Sequence, residues 1–205
     1  MAQSKSSKRW LQEHESDIYV KQARKAGYRG RAVYKLAEIQ KKYQILKPSQ
    51  WVVDLGAAPG SWSQYATECL NGNGSIIALD RLPMDAIGGV TCIEGDFTEE
   101  ASLRHLEAQL QGNLLDVVLS DMAPNASGCP AVDQPCAMAL AELALDFALQ
   151  WLKPGGSLVV KLFHGEGFDD YIPMVRQHFN QVVVRKPKAS RPRSRETYCV
   201  AKGRY

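Results

Sequence analysis

The stretch Val52-Val53-Asp54-Leu55-Gly56-Ala57-Ala58-Pro59-Gly60-Ser61-Trp62 reads as a buried strand that breaks at a glycine-rich turn and restarts as a helix. Gly56 and Gly60 let the backbone pass close to a ligand with no Cβ in the way. In an open α/β sheet such a turn falls at the carboxyl edge of the first strand, where ligands bind. The dinucleotide spacing Gly-x-Gly-x-x-Gly is absent and Pro59 occupies part of the turn, so a loop shaped for a pyrophosphate is not expected here.

Outward from this stretch, short β-branched runs alternate with helical patterns, the order of a parallel α/β sheet. Strands are predicted at Trp51–Leu55, Ser75–Leu79, Val90–Glu94, Leu115–Ser120 and Ser157–Phe163. Between the last two, a long helix is predicted from near Asp133. Ala137, Leu140, Ala141, Ala144, Leu145, Ala148 and Leu152 give it one apolar stripe. Lys153-Pro154-Gly155-Gly156 stops that helix. A last helix near Asp169–Phe179 leads to Gln181–Arg185, and Glu196–Ala201 is expected to close the sheet as an antiparallel edge. No internal repeat or linker interrupts the pattern. The expectation is one doubly wound domain over residues 1–205, with a basic helical extension (1–47) packed on a core (48–205).

The chain has 205 residues, 45% of them apolar and 23% charged, enough to bury a core without staples. No apolar run reaches the ~18 residues of a membrane helix, so no membrane contact is expected. The first residues lack the apolar segment of a secretory signal. Cys69, Cys92, Cys129, Cys136 and Cys199 form no metal-ligand spacing, and neither do His14, His105 and His178. Reduced thiols in a cytoplasmic, metal-free monomer are expected. The net charge of +3 hides an asymmetry: residues 1–47 carry +8, residues 48–184 carry −12 and residues 185–205 carry +7. Two basic ends on an acidic body suit a polyanionic partner. Candidate contacts are Lys8, Arg9, Lys21, Arg24, Arg29 and Arg31 at one end, with Arg191 and Arg193 at the other.

Asp80 ends the second strand, where a carboxylate can accept hydrogen bonds from both hydroxyls of a ribose. Gly95-Asp96-Phe97 follows the third strand and offers a carboxylate for an adenine amino group and a ring beside the base. One strand-end Asp alone is commonly a loop residue or a cap; three such features after three successive strands point to an adenosine-bearing ligand. The Asp54-x-Gly-x-x-Pro-Gly turn resembles motif I of methyltransferases, which implies S-adenosylmethionine as cofactor.

Asp121-Met122-Ala123-Pro124-Asn125-Ala126-Ser127-Gly128 follows the fourth strand, and Lys161 lies in the fifth. Adjacent central strands bring Asp121 and Lys161 toward one point. Lys35 sits on a helix with apolar positions Ala32, Leu36, Ile39 and Tyr43, about 40° from Ile39 at the border of the buried face. Glu196 is the only acid in the basic C-terminal segment. Taken singly, a border lysine usually snorkels and a lone glutamate usually pairs with a nearby arginine. With Ser16–Leu36, Asp54–Trp62, Asp121–Gly128, Val160–Phe163 and Lys188–Tyr198 taken together, the chain resembles the RrmJ/FtsJ (RlmE) family of ribosomal RNA 2′-O-methyltransferases along nearly its whole length. The resemblance implies a Rossmann-like methyltransferase fold: a mostly parallel sheet with an antiparallel edge strand and a basic N-terminal helical extension. It implies a catalytic tetrad at Lys35, Asp121, Lys161 and Glu196, and cofactor contacts at Gly60, Trp62, Asp80, Asp96 and Asp121. It also implies methylation of a uridine ribose in large-subunit (23S) rRNA within an assembled or nearly assembled 50S subunit.

Methyl transfer to a ribose hydroxyl needs in-line approach at ~3 Å and loss of the hydroxyl proton. Lys161 can take that proton only when neutral, which burial or the Lys35 cation promotes and Asp121 and Glu196 oppose. A protonated Lys161 would instead steer the hydroxyl and stabilise charge growing on its oxygen. The acceptor nucleotide is expected to be single-stranded or splayed. Removing residues 1–30 is expected to weaken RNA binding and leave cofactor affinity intact. Three other readings remain open: tRNA as substrate, methylation of a base nitrogen, and a non-catalytic RNA-binding assembly factor. Against base methylation, no aromatic follows Pro124. His164 reads as a loop residue near the site.

Overall fold

The computed structural model describes residues 16–205. Six helices occur among them: α1 (Ile18–Lys25), α2 (Val33–Tyr43), α3 (Ser61–Leu70), α4 (Glu100–Leu110), α5 (Pro130–Trp151) and α6 (Phe168–Arg176). The seven strands are β1 (Gln50–Leu55), β2 (Gly74–Asp80), β3 (Val90–Glu94), β4 (Leu115–Ser120), β5 (Leu152–Phe163), β6 (Phe179–Arg185) and β7 (Glu196–Arg204). They form one sheet in the order β3-β2-β1-β4-β5-β7-β6. The first five run parallel, and β7 runs antiparallel to both its neighbours.

Strand parity assigns the two faces. Val53, Leu55, Val118, Leu158, Val160 and Leu162 pack under α4, α5 and α6. Val52, Ile76, Val117, Leu119, Val159, Tyr198 and Val200 pack under α2 and α3. Both faces are covered, which is why the central strands read as continuous apolar runs. Strand order reverses between β1 and β4, and the switch point of such a sheet opens a crevice beyond its carboxyl ends. Backbone bonds knit that rim: Gly56 N–H donates to Leu79 O at 2.9 Å, Gly95 N–H to Asp80 O at 2.8 Å and Asp121 N–H to Leu55 O at 3.0 Å.

Three details depart from the sequence expectations. β7 is not the edge: it lies between β5 and β6, with its first six residues buried, and β6 forms the edge. Thr197-Tyr198-Cys199-Val200-Ala201 suits this place because both faces of an internal strand are buried. Lys153–Gly156 is an irregularity within β5, where pairing jumps from Leu115–Leu152 to Val117–Ser157. In α5 the buried positions include Met138 and Phe147, whereas Leu140 is only half-buried and lines the crevice.

Candidate active site

The turn after β1 is shaped by what surrounds it. Gly56 has φ 73°, and a Cβ there would lie 2.8 Å from the Met122 backbone. Its bare Cα therefore accommodates the β4–α5 loop as well as any ligand. Gly60, φ 102°, caps α3, and a Cβ would meet Ile87 at 2.7 Å. The Ala58–Pro59 peptide between them is cis. The first-turn N–H groups of α3 have no intrahelical acceptors and carry the positive end of the helix dipole, a suitable seat for a carboxylate.

A cavity of about 730 Å³ opens beside the turn, within the roughly 300–1,000 Å³ of small-molecule sites. Gly56, Asp80, Asp96, Phe97, Asp121 and Lys161 all line it, and Leu140 and Leu143 of α5 form an apolar wall. Asp80 accepts one backbone N–H on each oxygen, Leu82 N on Oδ1 at 2.8 Å and Ala58 N on Oδ2 at 2.9 Å. One further lone pair on each oxygen stays available for a pair of vicinal hydroxyls. Asp96 Oδ1 accepts Thr98 N at 2.9 Å and Thr98 Oγ1 at 2.7 Å, while Arg81 stands 3.7 Å from Oδ2. The Thr98 hydroxyl and N–H, helped by Arg81, hold this carboxyl below its ordinary value, so Oδ2 can accept from an amino group. Phe97 packs edge-on against Phe147 at 5.6 Å.

Asp54 lies fully buried behind the turn. Ser63 Oγ donates to its Oδ2 at 2.6 Å, and Oδ1 is without a partner. Burial pushes this carboxyl up to about 7, against the Ser63 hydrogen bond and with help from the Asp121 and Asp80 carboxylates. Between about pH 4 and pH 7 the folded chain then holds a proton the unfolded chain has lost, so this group lowers stability as pH rises through that window. Asp54→Asn should abolish that slope in denaturant titrations. Parallel pH profiles for the two proteins would contradict this account.

Four charged side chains converge at the other end of the cavity. Lys161 Nζ donates to Asp121 O at 2.5 Å and Oδ1 at 3.0 Å. Lys35 Nζ contacts both Glu196 oxygens, at 2.7 and 2.9 Å. Between the two pairs stands Tyr198, whose hydroxyl donates to Asp121 Oδ1 at 2.6 Å and accepts from Lys35 Nζ at 3.3 Å. Ser190 Oγ completes the chain by donating to Glu196 Oε1 at 2.7 Å. Burial pushes the Asp121 carboxyl up, but the Lys161 and Lys35 ammoniums and the Tyr198 hydroxyl together hold it below its ordinary value. Burial, then the Asp121 and Glu196 carboxylates, push the Tyr198 hydroxyl well above its own, so it remains a fixed donor.

This convergence follows from strand parity and one antiparallel pairing. Lys161 shares the α2-side face of β5 with Val159, and the β5–β7 register sets it opposite Tyr198. Glu196 and Tyr198, two apart, share a face of β7. The alternation Glu-x-Tyr in a strand was the available signal for Tyr198, which the sequence reading passed over; Ser190 had none. Lys161 and Asp121 line the cavity; Lys35 and Glu196 are joined to them through Tyr198.

The other expected contacts are placed as follows. The Trp62 indole is 2% exposed, donates to Ala32 O at 2.8 Å and packs on Tyr198, so only its backbone is placed for a ligand at the turn. Pro59 and Gly60 shape the turn, Pro59 through its cis peptide bond and Gly60 as the helix N-cap. Arg29 and Arg31, expected to face RNA, are half-buried and hydrogen-bonded within the chain. Arg29 bonds three backbone carbonyls, and Arg31 pairs with Asp17 at 2.5 Å, lies over the Tyr19 ring and donates to Ala189 O. With Lys188 N–H donating to Glu38 at 2.8 Å, that contact fastens the N-terminal helices to the C-terminal segment. The two basic ends therefore meet, with Lys21, Arg24, Lys188, Arg193 and Arg195 exposed and Arg191 half-buried. Lys8 and Arg9 lie outside the described residues.

A sequence profile of FtsJ-like methyltransferases matches residues 28–204. The chain is 57% identical over 203 residues to the ribosomal RNA large subunit methyltransferase E of Legionella pneumophila (strain Corby), covering 99% of this chain and 98% of that protein. It is 58% identical over 197 residues to the protein of the same name from Alkalilimnicola ehrlichii, covering 96% and 94%. A crystal structure of a ribosomal RNA methyltransferase from Plasmodium falciparum matches with a TM-score of 0.78 and 31% identity, over 86% of this chain and 98% of that one.

Proposed function

The chain belongs to the FtsJ-like methyltransferase family, and on that footing we propose that it methylates the 2′-hydroxyl of a uridine ribose in large-subunit rRNA, with S-adenosylmethionine as donor and the assembled or nearly assembled 50S subunit as substrate. The observation that carries the reading is the hydrogen-bonded chain Lys161–Asp121–Tyr198–Lys35–Glu196 at the end of a cavity whose other carboxylates keep free acceptor positions. The names of the relatives point to rRNA, and the joined basic ends suit a phosphate backbone.

The residues fit the cofactor. Asp80 has acceptors for two ribose hydroxyls, Asp96 Oδ2 for the adenine amino group, and the α3 N-terminus donors for the carboxylate. When bound, S-adenosylmethionine would supply an electrophilic methyl on a sulfonium to the ribose oxygen, whose proton must be taken up by the protein or solvent. Asp121 opposes the positive charge at that end of the cavity and holds Lys161 through two hydrogen bonds. Lys161, after giving up one proton of its own to solvent, receives the hydroxyl proton, while Lys35, clamped by Glu196, fixes Tyr198 and through it Asp121. The Lys161–Asp121 ion pair favours a second reading, in which Lys161 stays an ammonium and directs its third N–H at the growing negative charge.

Tyr198→Phe tests the bridge. It keeps the ring packed on Trp62 and deletes the hydroxyl that links the two ion pairs. A roughly 10-fold slower transfer is expected, with cofactor affinity retained; a wild-type rate would show that the pairs act independently.

The reading as a whole is tested by methyl transfer from labelled cofactor to 50S subunits, free rRNA and tRNA, the subunits coming from cells without this protein. Digestion should yield labelled 2′-O-methyluridine from the subunits. Label on a base would remove the ribose assignment, and label chiefly in tRNA would change the substrate. Tight RNA binding without label would favour an assembly factor.

A further inference from the structure

We infer that Arg29 is a positioning residue for the cofactor turn, so that the basic N-terminal segment sets cofactor affinity; this rests on the S-adenosylmethionine reading of the cavity. Its guanidinium reaches three backbone carbonyls on two loops. Nη1 donates to Asp85 O at 2.6 Å and Pro59 O at 3.2 Å, and Nη2 donates to Ala86 O at 2.8 Å. Pro59 belongs to the turn between β1 and α3, and Asp85 and Ala86 to the connection that follows Asp80. These loops already meet at Asp80, whose Oδ2 accepts from Ala58 N. Arg29 closes the same junction from outside.

The geometry around it is built rather than incidental. Arg29 N–H donates to Gln64 Oε1 at 2.9 Å, and Tyr28 OH donates to Glu68 Oε2 at 2.6 Å, both on α3. Gly60 leaves room for the guanidinium, since a Cβ there would stand 3.1 Å from Arg29 Nη1. Residues 28–32 are thus laid along α3, the helix whose first turn follows the cofactor loop. A planar fork of donors can span two loops at once; a lysine ammonium at the same place cannot match those directions. On this inference, removing residues 1–30 weakens cofactor binding as well as RNA binding, because Arg29 goes with them.

The test is cofactor binding by calorimetry to the full-length wild type, Arg29→Ala and Arg29→Lys, with rRNA affinity and thermal midpoints measured in parallel. Arg29→Ala should weaken S-adenosylmethionine binding at least about 10-fold, with Arg29→Lys recovering little of it. In turnover assays the cofactor KM should rise far more than kcat falls, and rRNA affinity should stay within about threefold, as for a residue making no phosphate contact. Should Arg29→Ala fail to fold, Arg29→Lys, which keeps the charge and the stem, decides alone. Wild-type cofactor affinity in the folded variants, or weakened rRNA binding in its place, overturns the proposal. A wild type that does not bind S-adenosylmethionine overturns the cofactor reading itself, and this inference with it.

Discussion

Lys161→Ala should slow single-turnover methyl transfer by about 10²–10⁴-fold, the range that one positioned proton-transfer group contributes. Cofactor binding should survive, because no cofactor contact is assigned to this ammonium and Asp121 keeps its bond to Tyr198. Lys161 is the member of the cluster that both lines the cavity and carries a cation there. Its removal leaves the ribose hydroxyl without a proton acceptor and without a donor toward its oxygen. Lys161→Arg separates these two roles. A guanidinium cannot take the proton near neutral pH, yet it can still donate. A rate as low as that of the alanine variant at every pH assigns Lys161 the proton; a rate near wild type across pH assigns it the charge. A Lys161→Ala enzyme that transfers methyl normally would remove the residue from the chemistry altogether.

Asp80→Ala should act in the opposite way, through affinity. Its two oxygens each hold one backbone N–H, from Leu82 and Ala58, and each can accept one ribose hydroxyl. Hydrogen bonds to a charged partner contribute ~1.5–3 kcal/mol apiece, so losing two weakens the cofactor by about 100-fold or more. Asp80→Asn, with one carbonyl oxygen left, should fall between the alanine variant and the wild type. At saturating cofactor both variants should regain most of their turnover, since Asp80 lies away from the Lys161 cluster. Unchanged affinity by calorimetry in Asp80→Ala would remove the ribose assignment. A fall in turnover that extra cofactor does not restore would mean that Asp80 also shapes the reacting end.

Much of this architecture is legible locally. The β1 stretch, its glycine turn and the strand-end acids Asp80, Asp96 and Asp121 follow from apolar runs and the residues that punctuate them. In a parallel α/β sheet the carboxyl ends of successive strands necessarily share one edge, so acids in those places meet without further information. Lys35 and Glu196 are different. They lie 161 residues apart, and each taken alone reads as an ordinary surface charge; they entered the site through family resemblance. Leu140, placed on the core stripe of α5 by its period, faces the cavity, because a 22-residue helix of high apolar content covers more than one kind of surface.

The sequence by itself determined the doubly wound sheet, the glycine turn after β1 and the acids around it, because these depend on backbone conformation and short-range period. The tertiary structure decided the rest. It placed β7 inside the sheet and not at its edge, set Tyr198 opposite Lys161, and made that tyrosine the bridge between two ion pairs. It gave Arg29 and Arg31 backbone-carbonyl partners within the chain and buried the Trp62 indole. The physical reason is the same in each case. Which partner a side chain meets across an antiparallel register, or where a guanidinium finds carbonyls, is fixed by pairings between segments far apart in the chain. No local spacing encodes those pairings.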